Sequence, residues 1–101
     1  MTEEITIRER FKTDLAEVNW RDMRIHLQRD VIILVADDLD LVDVAVDIAE
    51  DKTDQVSLWI AAGKLLKPTR EQVEHWEAQL DKPFRMLIAQ PYILAQAVTH
   101  A

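Results

Sequence analysis

Hydrophobic positions near the start of the chain recur at helical spacing. A capping box at Thr6–Glu9 precedes apolar residues that lie three to four positions apart, namely Ile7, Phe11, Leu15 and Val18. This spacing predicts a first helix over about 7–18, because residues so placed share one helix face. Asn19 is a residue type that caps helices, and a second short helix is expected to start there.

The middle of the chain changes period twice. Val31–Val35 is apolar at every position and rich in β-branched residues, which predicts a strand covered on both faces or held centrally in a small sheet. Helical spacing then returns in two runs separated by Glu50–Asp54. The second run has Val56, Trp59 and Ile60 as its buried stripe, and Gly63 after it indicates a left-handed C-terminal cap.

The last third of the chain mixes strand and helix patterns. Lys64–Pro68 predicts a short strand, and a second capping box at Thr69–Gln72 opens a helix with Trp76 facing inward. The apolar run from Phe84 is interrupted at Pro91, which indicates an edge, a bulge or a corner between two strands. The whole pattern predicts an α+β fold of about five short helices packed on a small three- or four-stranded sheet, with Val31–Val35 and Phe84–Ala89 as neighbouring strands.

Length and composition limit the number of domains and the compartment. A chain of 101 residues is expected to form a single domain over 1–101 with frayed ends. Its longest apolar run has six residues, Val31–Ala36. A membrane helix needs about 20 apolar residues, and the N-terminus has no apolar signal segment, so no membrane association is expected. The chain has no cysteine, which excludes disulfides and thiolate sites and favours the cytoplasm.

Negative charge is concentrated in one segment. The net charge is −7, and residues 31–54 alone carry eight acids and one base. This concentration predicts one negative face, which favours a basic protein partner and disfavours nucleic acid and anionic membranes. The candidate acidic partner surface consists of Asp37, Asp38, Asp40, Asp43, Asp47 and Glu50.

The two runs around Glu50–Asp54 also resemble the helix-turn-helix regions of excisionase-like and resolvase-like regulators, whose second helix enters the major groove. Here that helix would be Thr53–Ala62, with Gln55 and Ser57 as its base readers and no arginine or lysine within it. Phosphate contacts from lysine and arginine supply much of the affinity for DNA, and this helix has neither residue. A nucleic-acid-binding or transcription-associated role is therefore kept only as the alternative.

The acids also carry the oxygen ligands that hard cations prefer, so a divalent-metal-dependent enzyme is the second alternative. The calcium-loop pattern is absent, since no glycine occupies its sharp turn. His26, His75 and His100 lack partners at zinc-helix spacing, and Ser57 has no glycine elbow. The sequence therefore predicts no catalytic residue, metal site or cofactor, and it favours a non-catalytic interaction module.

Large apolar residues pose a different question, because they serve either as core or as interface anchors. Trp20, Trp59 and Trp76 each lie on the apolar side of a predicted helix, and Trp59 and Trp76 are expected in the main core. A domain this small cannot easily enclose three indoles, so at least one is expected to be part-exposed or at a subunit contact. The uncharged stretch from Pro91 to Val98 would also leave a strand edge to be covered. We therefore expect a homodimer formed through Tyr92, Ile93 and Leu94.

Several short segments together form a recognisable set: Trp20, Arg29–Ile32, Leu39–Val42, Trp59–Ile60, Lys67–Pro68, Trp76, Phe84 and Gln90–Leu94. Over about residues 12–96 this set resembles a bacterial family of uncharacterised proteins, domain of unknown function 2288. The more distinctive segments are Leu39–Val42 and Gln90–Leu94. The resemblance implies a small, soluble, stand-alone bacterial protein. It implies no activity, so no functional residue is carried over.

Overall fold

A mixed five-stranded sheet forms the centre of the computed structural model, which describes residues 6–98. The strand order is β1-β4-β5-β2-β3. Strands β2 and β5 are parallel, and the other neighbouring pairs are antiparallel. The strands are β1 (Ala16–Asn19), β2 (Ile32–Val35), β3 (Leu65–Leu66), β4 (Pro83–Ala89) and β5 (Tyr92–Ala97).

Helices cover both faces of this sheet. They are α1 (Ile7–Asp14), α2 (Trp20–Met23), a 3-10 helix (Arg24–Arg29), α3 (Leu41–Ala49), α4 (Thr53–Ala61) and α5 (Arg70–Glu77). Helices α1, α3 and α4 enclose a first core with residues such as Val44, Leu87 and Leu94. On the other face, α2, the 3-10 helix and α5 enclose a second core around Trp20, Trp76 and Phe84. No helix within residues 6–98 has both the length and the apolar character that a bilayer span requires.

The α+β class is confirmed, but the sheet has five strands and not three or four. The additional strand is β1, which lies within the region predicted as the end of the first helix. Helix α1 ends at Asp14, and Leu15 already has an extended backbone with ψ of 126°. Ala16–Asn19 then pairs with Pro83–Met86 of β4. Pairing with a distant strand therefore overrides the helical spacing of Leu15 and Val18.

The predicted strand neighbours are also wrong. Val31–Val35 and Phe84–Ala89 belong to one sheet, but β5 lies between β2 and β4 and pairs with both. Strand β5 therefore has no open edge. The predicted homodimer was based on an open edge at this strand. His100 lies outside the described residues.

Of the two predicted capping boxes, the one at Thr69–Gln72 is complete, since each side chain accepts from the other residue's backbone N–H. At the start of α1 only the Thr6 side chain accepts, from the backbone N–H of Glu9. Asp40 caps α3 in a similar way. Gly63 follows α4 with φ of +74°, the left-handed conformation that glycine adopts without steric cost. Pro91 lies at the corner between β4 and β5, one of the three roles that its position indicated.

Two of the three tryptophans are buried. Trp20 and Trp76 pack against Phe84, with ring centroids 5.9 and 5.1 Å from it. The Trp20 indole N–H also donates a 2.6 Å hydrogen bond to Glu77. Trp59 is part-buried and packs against the first core, so one indole is part-exposed as expected. The expectation that Trp59 and Trp76 share the main core is wrong, because Trp76 lies in the second core on the other face of the sheet.

Candidate functional site

Most of the predicted acidic partner surface is engaged within the molecule. Asp40 caps α3 by accepting hydrogen bonds from the backbone N–H groups of Val42 and Asp43, at 2.7 and 3.3 Å. Three other acids of the set form ion pairs. These pairs are Asp38 with Lys64, Asp43 with Arg8, and Glu50 with Lys52. Of the six, only the carboxylates of Asp37 and Asp47 have neither a hydrogen bond nor an ion pair within residues 6–98.

In two of these pairs the hydrogen bond shifts the pKa of one member toward its charged form. The hydrogen bond from Lys64 lowers the pKa of the Asp38 carboxyl below its ordinary value. The hydrogen bond to Asp43 likewise raises the pKa of Arg8. Among the residues that the structure describes, no three histidine, aspartate or glutamate side chains converge in a way that could hold a metal ion. Within residues 6–98, four of the six acids serve as a helix cap or as ion-pair partners.

The helix pair suggested by the sequence is present. Helices α3 and α4 are joined by Glu50–Lys52, and Asp51 in this turn has φ of +56°. Helix α4 packs Val56 and Trp59 against the first core and leaves Ser57 exposed. Ile60 was predicted to be buried with Val56 and Trp59, but 56% of its surface is exposed, so that assignment is wrong.

The exposed side of α4 borders an open recess, which we call the α4 groove. It has a volume of about 560 Å³ and lies between the sheet and helices α3 and α4. Its apolar lining comes from the sheet residues Ile33, Leu65, Leu66 and Tyr92 and from the helix residues Ile48, Val56 and Ile60. Its polar lining consists of Asp47, Asp51, Lys52, Thr53, Ser57 and Lys67.

The charges along this groove are not equally available. Lys67 forms an ion pair with Asp30 at 2.6 Å, and Lys52 lies 3.8 Å from Glu50. In the described part of the chain, Asp47 and Asp51 have no ion-pair partner. The guanidinium of Arg8 donates its hydrogen bond to Asp43 and attracts the Asp47 carboxylate only through longer-range electrostatics. The groove therefore combines an apolar lining with two available carboxylates.

The predicted self-association surface is divided between the interior and the groove. Ile93 and Leu94 are 6% and 0% exposed, because β5 is paired on both sides and covered by helices. Tyr92 is 40% exposed and lines the α4 groove, as does the edge residue Leu66, which is 54% exposed. Tyr92, Ile93 and Leu94 therefore do not form one exposed surface, and only Tyr92 of the three lines the α4 groove.

A second recess lies at the opposite end of α3, with a volume of about 290 Å³. Asp37, Asp38 and Asp40 line it together with Arg85 and Gln96. The Gln96 side chain is buried, and its amide donates to the backbone carbonyls of Ala36 and Leu39, both at 2.8 Å. Gln96 therefore holds the loop that carries the first acids, a role that no sequence pattern indicated.

The comparisons with known proteins agree with this architecture. The chain is similar to the NMR solution structure of PA1075 from Pseudomonas aeruginosa, with a TM-score of 0.78 over 99% of this chain and 93% of that chain. The identity is 23%, so the similarity shows the fold alone. No curated protein matches the chain. The family model described as protein of unknown function (DUF2288) matches residues 6–97, and the chain therefore belongs to this family.

Proposed function

We propose that the protein is a non-catalytic interaction module that receives a protein partner in the α4 groove. The observation that carries the proposal is the open apolar recess of about 560 Å³ between α4 and the sheet. Large apolar side chains remain exposed along it, namely Ile60, Leu66 and Tyr92, and contiguous exposed apolar surface of this kind marks sites that bind other proteins.

Charge supports a basic partner. The chain has a net charge of −7, and Asp47 and Asp51 border the groove without ion-pair partners in residues 6–98. A protein of negative net charge attracts basic partners and repels nucleic acid. Of the six acids in the predicted partner surface, only Asp47 lines this groove, and Asp51 also lines it. We further propose that the protein acts in the bacterial cytoplasm, which accords with its lack of cysteine.

A second candidate is a homodimer that uses the same groove. It is favoured by three large apolar side chains that remain exposed around the groove, namely Ile60, Leu66 and Tyr92. A second copy covering them would remove apolar surface from water. Light scattering separates the two candidates, because a monomer has a mass of 11.7 kDa and a dimer has twice that mass.

Site-specific photo-crosslinking tests the proposal directly. Ser57 lines the groove, whereas the adjacent Leu58 is exposed and does not line it. A benzophenone amino acid placed at position 57 in the native bacterium is expected to give a discrete adduct with another protein, and at position 58 it is not. An adduct between two copies would support the homodimer. Equal labelling from both positions, or none from position 57, would contradict both candidates.

The alternatives raised by the sequence are tested with the same protein. A DNA-binding protein would shift duplex DNA at low salt and lose the complex steeply as salt rises. A metal-dependent enzyme would gain thermal stability with Mg²⁺, Ca²⁺ or Mn²⁺ through mass action. We expect no shift of DNA and no stabilisation by these cations. Either effect would count against an interaction module.

A further inference from the structure

We infer that the α4 groove binds a polypeptide segment in which aliphatic or aromatic side chains are flanked by lysine or arginine. This inference rests on the proposed function and specifies the chemistry of the partner. It depends on three properties of the groove: its apolar interior, the state of its charged groups, and the apolar surface that continues outside it.

The interior requires an apolar anchor. Ile33, Ile48, Val56 and Leu65 line the recess, so a polar ligand group placed among them would lose its hydration without gaining a hydrogen-bond partner. Thr53 and Ser57 add hydroxyl groups only on the side of α4. Aliphatic or aromatic side chains suit this lining because they release water from it.

The charged groups require a cation beside that anchor. Lys52 and Lys67 are both paired with acids, whereas Asp47 and Asp51 are unpaired in the described part of the chain. An anionic ligand would face these two carboxylates, and a neutral ligand would bring apolar surface close to them without compensation. A lysine or arginine of the partner would pair with them at the mouth of the groove.

The apolar surface around the groove favours a polypeptide over a small amine. Ile60 and Leu66 are more than half exposed and Tyr92 is 40% exposed, and all three lie at the edge of the recess. A small amine that filled the interior would leave these side chains in water. A peptide segment has further side chains on either side of its anchor, which can cover them.

The test measures fluorescence anisotropy with short fluorescein-labelled peptides and the full-length protein. The probe is a peptide of leucine and lysine. One control replaces its leucines by serine and keeps the charge, and a second replaces its lysines by glutamate and keeps the apolar residues. We expect saturable binding of the leucine–lysine peptide only. Equal binding of the serine–lysine peptide would show general attraction to an acidic protein and would overturn the inference.

Matched variants locate the binding site. Asp47→Asn with Asp51→Asn removes the two available carboxylates, and asparagine also tolerates the positive φ of position 51. The control pair Asp37→Asn with Glu74→Gln changes the net charge equally at exposed positions outside the groove. We expect the groove pair to raise Kd about tenfold or more and the control pair to leave it within about twofold.

A second matched pair tests the apolar contribution. Ile60 and Leu58 are both exposed on α4, but only Ile60 lines the groove. Ile60→Ser is expected to weaken peptide binding about tenfold, and Leu58→Ser is expected to have no effect. Equal effects of the two substitutions would contradict docking in the groove. So would full displacement of the peptide by phenethylamine at similar concentration, since a small amine would then be sufficient.

The results separate failure of this inference from failure of the proposed function. A cross-link from position 57 to a partner protein, combined with no binding of the leucine–lysine peptide, would overturn the basic-apolar chemistry and retain the interaction module. Absence of both would overturn both. A mass of twice 11.7 kDa that Ile60→Ser returns to a monomer would identify a second copy as the occupant and contradict the inference.

Discussion

Replacement of Trp20 by alanine is the perturbation that tests the second core most directly. Trp20 is fully buried, and its ring centroid lies 5.0 Å from that of Trp76 and 5.9 Å from that of Phe84. Its indole N–H donates to Glu77, which Arg24 also holds. The side chain therefore joins α2, α5 and β4, and no other residue of the aromatic group has this hydrogen bond.

The expected cost follows from these contacts. Truncation of a buried tryptophan to alanine costs about 3–5 kcal/mol. Each aromatic pair adds about 0.5–1.5 kcal/mol beyond its buried area, and Trp20 takes part in two of them. We therefore expect Trp20→Ala to lose about 5 kcal/mol. Trp59 is part-buried and makes no such pair among the described residues, so Trp59→Ala is expected to lose about 2–3 kcal/mol.

Urea unfolding followed by far-ultraviolet circular dichroism measures both variants without relying on tryptophan emission. With an m-value of about 2 kcal/mol/M, Trp20→Ala should lower the midpoint by about 2–3 M, and Trp59→Ala by about half as much. Trp20→Phe keeps an aromatic ring but loses the N–H donor, so its loss should lie between that of the alanine variant and zero. A cost for Trp20→Ala no larger than that for Trp59→Ala would refute the assignment of Trp20 to the centre of this core.

Three further predictions concern single residues. Gln96→Leu should cost about 1–3 kcal/mol in thermal unfolding, because the carbonyls of Ala36 and Leu39 lose their donor; a neutral result would contradict the bonding role of the amide. Gly63→Ala should cost about 1–2 kcal/mol at φ of +74°, although a methyl group there meets no atom within 4 Å, and a stabilising effect would contradict this. The hydrogen bonds from Trp20 and then Arg24 lower the pKa of Glu77. A lowered pKa adds stability above the ordinary glutamate range and loses it as the pH falls through the folded value. The difference in unfolding free energy between wild type and Glu77→Gln should therefore be largest near pH 7 and shrink below about pH 4, and a constant difference would contradict it.

Features set by neighbours in sequence could be predicted, and features set by distant segments could not. The caps at Thr6 and Thr69 and the turn at Gly63 depend on contacts within a few residues, and sequence spacing shows them directly. Strand β1 has only four residues, and its apolar residue Val18 continues the helical spacing of the apolar residues in α1. Its pairing with β4 joins segments more than sixty residues apart, which no local pattern encodes.

The candidate site shows the same limit. The sequence shows how many acids the middle segment carries, but two of their three ion-pair partners come from far along the chain. Arg8 is 35 positions from Asp43, and Lys64 is 26 positions from Asp38. Ile60 falls on the apolar stripe of α4, yet the helix packs there against β3, an edge strand of only two residues. The sheet is too narrow at that edge to cover Ile60, and the groove opens as a result.

The two edges of the sheet restrict how any partner can associate. Strand β3 has two residues and is followed closely by Pro68, which has no N–H to donate to a neighbouring strand. Strand β1 has four residues and exposes the charged Glu17. Short strands with charge or proline are the usual protection against edge-to-edge pairing. A peptide or a second copy is therefore expected to bind through side chains rather than by extending the sheet. The larger of the two recesses described, the α4 groove, is where apolar side chains and available carboxylates come together.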